Sequence, residues 1–124
     1  METPIDTPDD TPIDTPRPLA DLVTYQPGSV VSRVLLRNEG AVQTVFAFAE
    51  GQGLTEHTSP HEATVLVLEG AVRITIGAED EAASEHRVGA GEMLHLPAAV
   101  PHALDGEEPF KMLLTLLKRR VERG

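Results

Sequence analysis

From about Leu22 onward, apolar residues come in short runs, each cut by Gly, Pro or Asn. Val72-Arg73-Ile74-Thr75-Ile76 alternates apolar and polar side chains, the period of a strand with one buried face. Val65-Leu66-Val67-Leu68 is apolar throughout, the pattern of a strand covered on both faces. Glu69-Gly70 lies between these two runs and reads as a tight turn. Strands are predicted at Val30–Leu36, Val42–Ala49, Thr64–Leu68, Val72–Ile76, Arg87–Val88, Met93–Leu96 and Phe110–Leu117. Gly77–Ser84 reads as a polar hairpin loop. Phe110–Arg123 also admits a helix with Lys118, Arg119, Arg120 and Arg123 near its C-terminal end, but a closing strand to about Leu117 is preferred. Many short strands at regular spacing predict an all-β sandwich or barrel.

The first residues break this pattern. Thr3-Pro-Ile-Asp-Thr-Pro-Asp-Asp10 is followed by the near-copy Thr11-Pro-Ile-Asp-Thr-Pro-Arg-Pro18. Proline at this density removes amide donors and blocks both helix and central strand. With its acidic charge, the segment has too little apolar surface to offset its ordering entropy. It is therefore expected to be an extended, disordered tail over residues 1–20 whose deletion leaves the fold intact. A recognition arm is the alternative reading. The barrel is expected over 21–118, with a basic tail at 119–124.

Composition narrows the chemistry. A chain of 124 residues suits one domain. Aromatics are scarce, so the core must be built mainly from Val, Leu, Ile and Ala. There is no cysteine, which excludes disulfides, thiolate metal sites and cysteine nucleophiles. Any metal would need nitrogen and oxygen ligands. Twenty acidic against ten basic residues give a formal charge of -10, which disfavours non-specific contact with nucleic acid or anionic membranes. No apolar run approaches the roughly 18 residues of a membrane-spanning helix, and no basic region with an apolar stretch opens the chain. A cytoplasmic protein is expected.

Two stretches carry the chemistry. The first is Gly51-Gln-Gly-Leu-Thr-Glu-His57-Thr-Ser-Pro-His61-Glu-Ala-Thr-Val-Leu-Val-Leu-Glu-Gly70. The second is Gly91-Glu-Met-Leu-His95-Leu-Pro97-Ala-Ala-Val-Pro-His102-Ala-Leu. Together they resemble the two motifs of the cupin superfamily, over Gly51 to about Leu104. The resemblance implies a double-stranded β-helix, or jelly-roll barrel, with an inward metal site. Gly91, Pro97 and His102 stand at the family spacing of the second motif, while Gly106 replaces its final Asn. In the first motif Gly51, His57 and Gly70 match. Ser59 replaces the second family histidine, and Ala63 replaces the family glutamate.

His61 and Glu62 lie close enough to substitute. If Ala63 faces inward, strand parity puts His61, Val65 and Val67 on the same side and Glu62 on the other, unless a bulge intervenes. The expected metal ligands are therefore His57, His61 and His102. Imidazole suits Zn, Fe, Ni or Cu, and the loss of a carboxylate makes the set less suited to Mn. Val65, Val67 and Met93 are candidate cavity walls. His95 can line the cavity or face outward, and His86 reads as a solvated hairpin residue. Ser59 lacks the nucleophile-elbow sequence of a hydrolase.

Two functions remain open on these residues. One is a metal-dependent cupin that binds a small polar metabolite, its reaction unspecified. The other is a metal-free, non-catalytic barrel that binds or senses a small ligand. Small cupins resemble one another in pairing through exposed sheet faces. The apolar runs Val65–Leu68 and Phe110–Leu117 supply such faces, so a homodimer is expected.

Overall fold

Alternation along the chain is realised as two facing sheets. The computed structural model describes residues 5–6, 13–78 and 83–118. In chain order the strands are β1 (Ile5–Asp6), β2 (Val30–Arg37), β3 (Ala41–Phe48), β4 (Gly53–His57), β5 (Glu62–Glu69), β6 (Ala71–Ile76), β7 (Ser84–Gly89), β8 (Met93–Leu96), β9 (His102–Asp105) and β10 (Phe110–Leu117). A single 3-10 turn, Leu19–Leu22, precedes β2. One sheet has the order β1-β2-β3-β10-β5-β8, the other β4-β9-β6-β7. This is the all-β jelly-roll barrel expected from the sequence. The helical alternative at the C-terminus is excluded, since β10 sits between β3 and β5 and pairs antiparallel with both.

Gly70 makes the β5–β6 turn with a φ of 74°, in the left-handed region that favours glycine. A Cβ there would also stand 2.2 Å from the Pro109 carbonyl oxygen.

The inner faces interlock around Phe48 and Phe110, whose rings stack at 4.4 Å and 6°. Val30, Val67, Val72, Ile74 and Met112 pack around that pair with almost no exposure. Burial then falls along the barrel. On β10, Phe110 and Met112 are buried, whereas Leu114 and Leu116 are only partly so. One end of the barrel is thus sealed by aromatic and aliphatic packing, and the other is more open.

A second, smaller core lies on the outside of the larger sheet. Leu22 and Val23 are buried against Val31, Val45 and Ala47, with Ile13, Leu19, Tyr25, Leu35 and Leu68 around them. This explains the doubly apolar run at 65–68: Val65 and Val67 face the barrel, and Leu68 faces the N-terminal segment. Polar contacts fasten the segment. Tyr25 donates its hydroxyl proton to Glu69 at 2.6 Å, and Lys111 donates to the Ala20 carbonyl at 2.7 Å. Burial, aided by the Glu69 carboxylate, raises the Tyr25 pKa well above its ordinary value.

Residues expected in the tail take part in these contacts. Ile13 and Leu19 pack on the sheet, and β1 pairs parallel with Val31 and Ser32. Apolar side chains spaced among the prolines supply the burial. Residues 1–4 and 7–12, and the basic tail 119–124, lie outside the described residues.

Candidate functional site

The open end is where the two histidine-bearing motifs meet. β4 ends at His57 and β5 begins at Glu62, while β8 ends at Leu96 and β9 begins at His102. The loops that follow β4 and β8 are tied together by the Ala99 amide, which donates to the Ser59 carbonyl at 2.7 Å. Ala99 holds a φ of 62°, a left-handed conformation uncommon for a residue with a side chain. That strained residue helps turn the chain between Pro97 and Pro101 into β9.

His57 and His102 are direct cross-strand partners, and their rings sit 4.2 Å apart at an interplanar angle of 70°. A local irregularity makes this possible. Leu54 pairs with Leu104 and His57 with His102, so Thr55 and Glu56 together oppose the single residue Ala103. Such a bulge resets the side-chain alternation. Without it, Glu56 would share the face of Leu54; with it, His57 does, beside His102 but at an exposed position on the rim.

The backbone also orients both rings. His57 Nδ1–H donates to the Thr55 carbonyl at 2.9 Å, and His102 Nδ1–H points to the Val100 carbonyl at a longer 3.4 Å. In this tautomer each Nε2 keeps its lone pair, the form in which imidazole accepts a proton or ligates a metal. His102 is buried, at 6% exposure. Burial, with a smaller contribution from the neighbouring His57, lowers its pKa below the ordinary 6.5. The ring is therefore neutral at pH 7.

That shift predicts an acid sensitivity. The folded state binds the His102 proton less readily than the unfolded chain does. Its stabilising contribution is present above about pH 6.5 and is lost as pH falls from there through the lowered folded value. The slope of thermal midpoint against pH just below 6.5 should flatten in His102→Gln. An unchanged slope would assign the acid sensitivity to other groups.

The remaining sequence candidates are placed elsewhere. His61 lies in the bend before β5, with its amide bonded to the Ser59 hydroxyl at 3.1 Å. Ala63, Val65 and Val67 face inward, but His61 precedes the strand, so that alternation does not extend to it. Among the described residues no group of three or more His, Cys, Asp or Glu is placed to hold a metal ion. Of the expected ligands His57, His61 and His102, the structure brings His57 and His102 into direct ring contact.

His95 faces outward, where it pairs with the exposed Glu62. That contact and the Ala98 amide hold the Glu62 carboxyl below its ordinary pKa. Met93 shares this outer face and is 62% exposed, so it is not a cavity wall; Leu94 and Leu96 face inward instead. His86 is exposed and bonded to Ser84 at 3.1 Å. Gly106, at the family Asn position, is packed so closely that a Cβ would lie 2.5 Å from the Phe110 ring and 2.6 Å from the Gln52 carbonyl.

Sequence reasoning missed the Thr55–Glu56 bulge, for which the sequence carries no signal. It also missed Ile76 as a neighbour of the pair. Ile76 is the cross-strand partner of His102, and the alternation of its run places it on the inner face.

Fold and site together define a small β-barrel with a histidine pair at its open end, the buried His102 and the exposed His57. The chain belongs to the cupin-domain family, whose model matches residues 44–116. Among solved structures it is similar to a conserved protein of unknown function from Streptococcus pyogenes, at 30% identity and a TM-score of 0.80, covering 97% of this chain and 98% of the other. It is also similar to a cupin superfamily protein from Desulfitobacterium hafniense, at 27% identity and a TM-score of 0.79, covering 90% and 97%. A cupin 2 conserved barrel domain protein from Leptotrichia buccalis shares 37% identity with a TM-score of 0.72, covering 80% of this chain and 46% of that one. No curated protein matches the sequence.

Proposed function

We propose that this cupin binds a small molecule at its open end, with His57 and His102 as the working groups and a divalent transition metal held between them. The reading rests on one observation: adjacent rings 4.2 Å apart, each with Nδ1 turned to a backbone carbonyl. Two imidazole ligands fit Zn, Ni, Cu or Fe. With two protein ligands, the other coordination positions fall to water or to the bound molecule. The metal would supply Lewis acidity. The chain's own residues supply the orientation, through the Thr55 and Val100 carbonyls that hold the two rings.

Metal analysis tests this on protein made without a histidine tag. Zinc titrated into the protein should bind with a stoichiometry near one. His102→Ala should weaken binding by at least about 100-fold, the upper range for losing even an outer-shell partner of a metal site. Circular dichroism of the variant checks that the barrel persists. A wild-type protein that takes up no stoichiometric metal overturns the metal reading.

The absence of a three-residue metal group among the described residues favours the second reading, a metal-free binding or sensing barrel. It predicts small-ligand binding that survives treatment with a chelator. For either reading a homodimer would use what the N-terminal segment leaves of the larger sheet's outer face, around the exposed Met93 and the partly exposed Leu66 and Leu113.

A further inference from the structure

We infer that the ligand of this barrel is a compact, mainly apolar molecule carrying a single hydroxyl or acid group at one end, rather than an oxygen-rich metabolite. The inference rests on the reading of the His57–His102 pair as the working centre and concerns what surrounds it.

The register of both sheets shows which side chains a molecule entering the open end would meet. Around the pair the inner wall is formed by Phe46, Leu54, Ile76, Leu94, Leu114 and Leu116, all partly exposed and all packed on the main core. Leu114 and Leu94 flank Val65 across adjacent strands, and Ile76 stands opposite His102. Among the described strand residues, the register puts one charged side chain on the inner face, Arg37, opposite Val42 at an exposed position. The other polar side chains at inward positions are the buried Ser32 and Thr44 on the larger sheet and the exposed Ser84 and His86, which pair with Ile76 and Ile74 on the smaller one. Other charged groups gather outside, as where Arg73 meets Glu85 and Glu107.

A sugar acid or polyol needs a donor or acceptor for each of its oxygens, and each one left unpaired against an apolar wall opposes binding. The six apolar wall residues offer none, and the inward Arg37, Ser84 and His86 stand at exposed positions. An aromatic or branched aliphatic body gains instead from every contact it makes with them. One hydroxyl matches the pair, because its proton can be donated to a free Nε2 of either imidazole.

The experiment compares 4-methylphenol with gluconate on the full-length protein, with chelator present so that the outcome does not depend on metal. Binding is read from shifts of the His57 and His102 side-chain resonances in long-range 1H–15N spectra. 4-Methylphenol is expected to shift both rings and gluconate neither. Leu116→Asn should weaken 4-methylphenol binding about tenfold through lost apolar contact. Ile76→Thr, a milder change on the facing sheet, should act in the same direction. Gluconate shifting the rings while 4-methylphenol does not, no shift with either probe, or variants that bind as tightly as wild type would each overturn the inference. Zinc titration of the same sample without chelator separately decides whether the pair holds a metal.

Discussion

Phe110→Ala is expected to destabilise the barrel by about 3–5 kcal/mol, the range for removing a buried aromatic side chain and leaving a cavity. Phe110 has no exposed surface and stacks on Phe48, itself fully buried. Its ring also fills the space beside Gly106, where no side chain would fit. The gap has little means of collapsing, because β10 is held on both sides by paired strands. With a urea m-value of roughly 2 kcal/mol/M for a small domain, the midpoint should fall by roughly 2 M. A fall below a few tenths of a molar would show that the sealed end does not anchor the barrel.

Removing residues 1–24 is the second large expected effect. It deletes Leu22 and Val23, whose burial alone stabilises by about 3–5 kcal/mol. It also uncovers Val31, Val45 and Ala47 on the outer sheet face. The Lys111 ammonium loses the Ala20 carbonyl, leaving it beside Glu69 and Tyr25. Removal of residues 1–12 takes away the β1 pairing but keeps Ile13, Leu19, Leu22 and Val23 on the sheet, and should lower the urea midpoint by less than a quarter as much. The longer truncation should also self-associate, because a newly bare apolar face seeks another surface. Equal stability of the two truncated proteins would show that the outer core contributes nothing. A monomeric longer truncation, measured by light scattering, would rule the uncovered face out as an association surface.

Much of the barrel was legible because strand periodicity is local. The alternation in Val72–Ile76 reappears as buried Val72 and Ile74 flanking the exposed Arg73. β8 and β10 take the bounds the pattern gives them, Met93–Leu96 and Phe110–Leu117. β4 was missed: Gly53-Leu54-Thr55-Glu56-His57 has one apolar residue and no alternation. It is a strand because β9 supplies its hydrogen bonds. The 3-10 turn at Leu19–Leu22 was hidden for a similar reason, since its stability comes from packing on a distant sheet face.

The site divides along the same line. His57 and His102 could be picked out because residue spacing relative to Gly51, Gly91 and Pro97 survives in the linear chain. His61 could not be judged that way, because parity holds only inside a strand and this residue stands just before one. Met93 was assigned to the wall although β8 turns it outward, its neighbours Leu94 and Leu96 taking the interior.

The sequence by itself determined most of the strands and, through its resemblance to the cupin motifs, the barrel class and the two histidines, since side-chain type and short-range spacing survive in the linear chain. Only the tertiary structure decided that the Thr55–Glu56 bulge turns His57 toward His102, that His61 stands before β5 rather than within it, and that part of the proline-rich start covers a sheet face. These outcomes depend on pairing between segments far apart in the chain, and a pattern read a few residues at a time carries no information about that pairing.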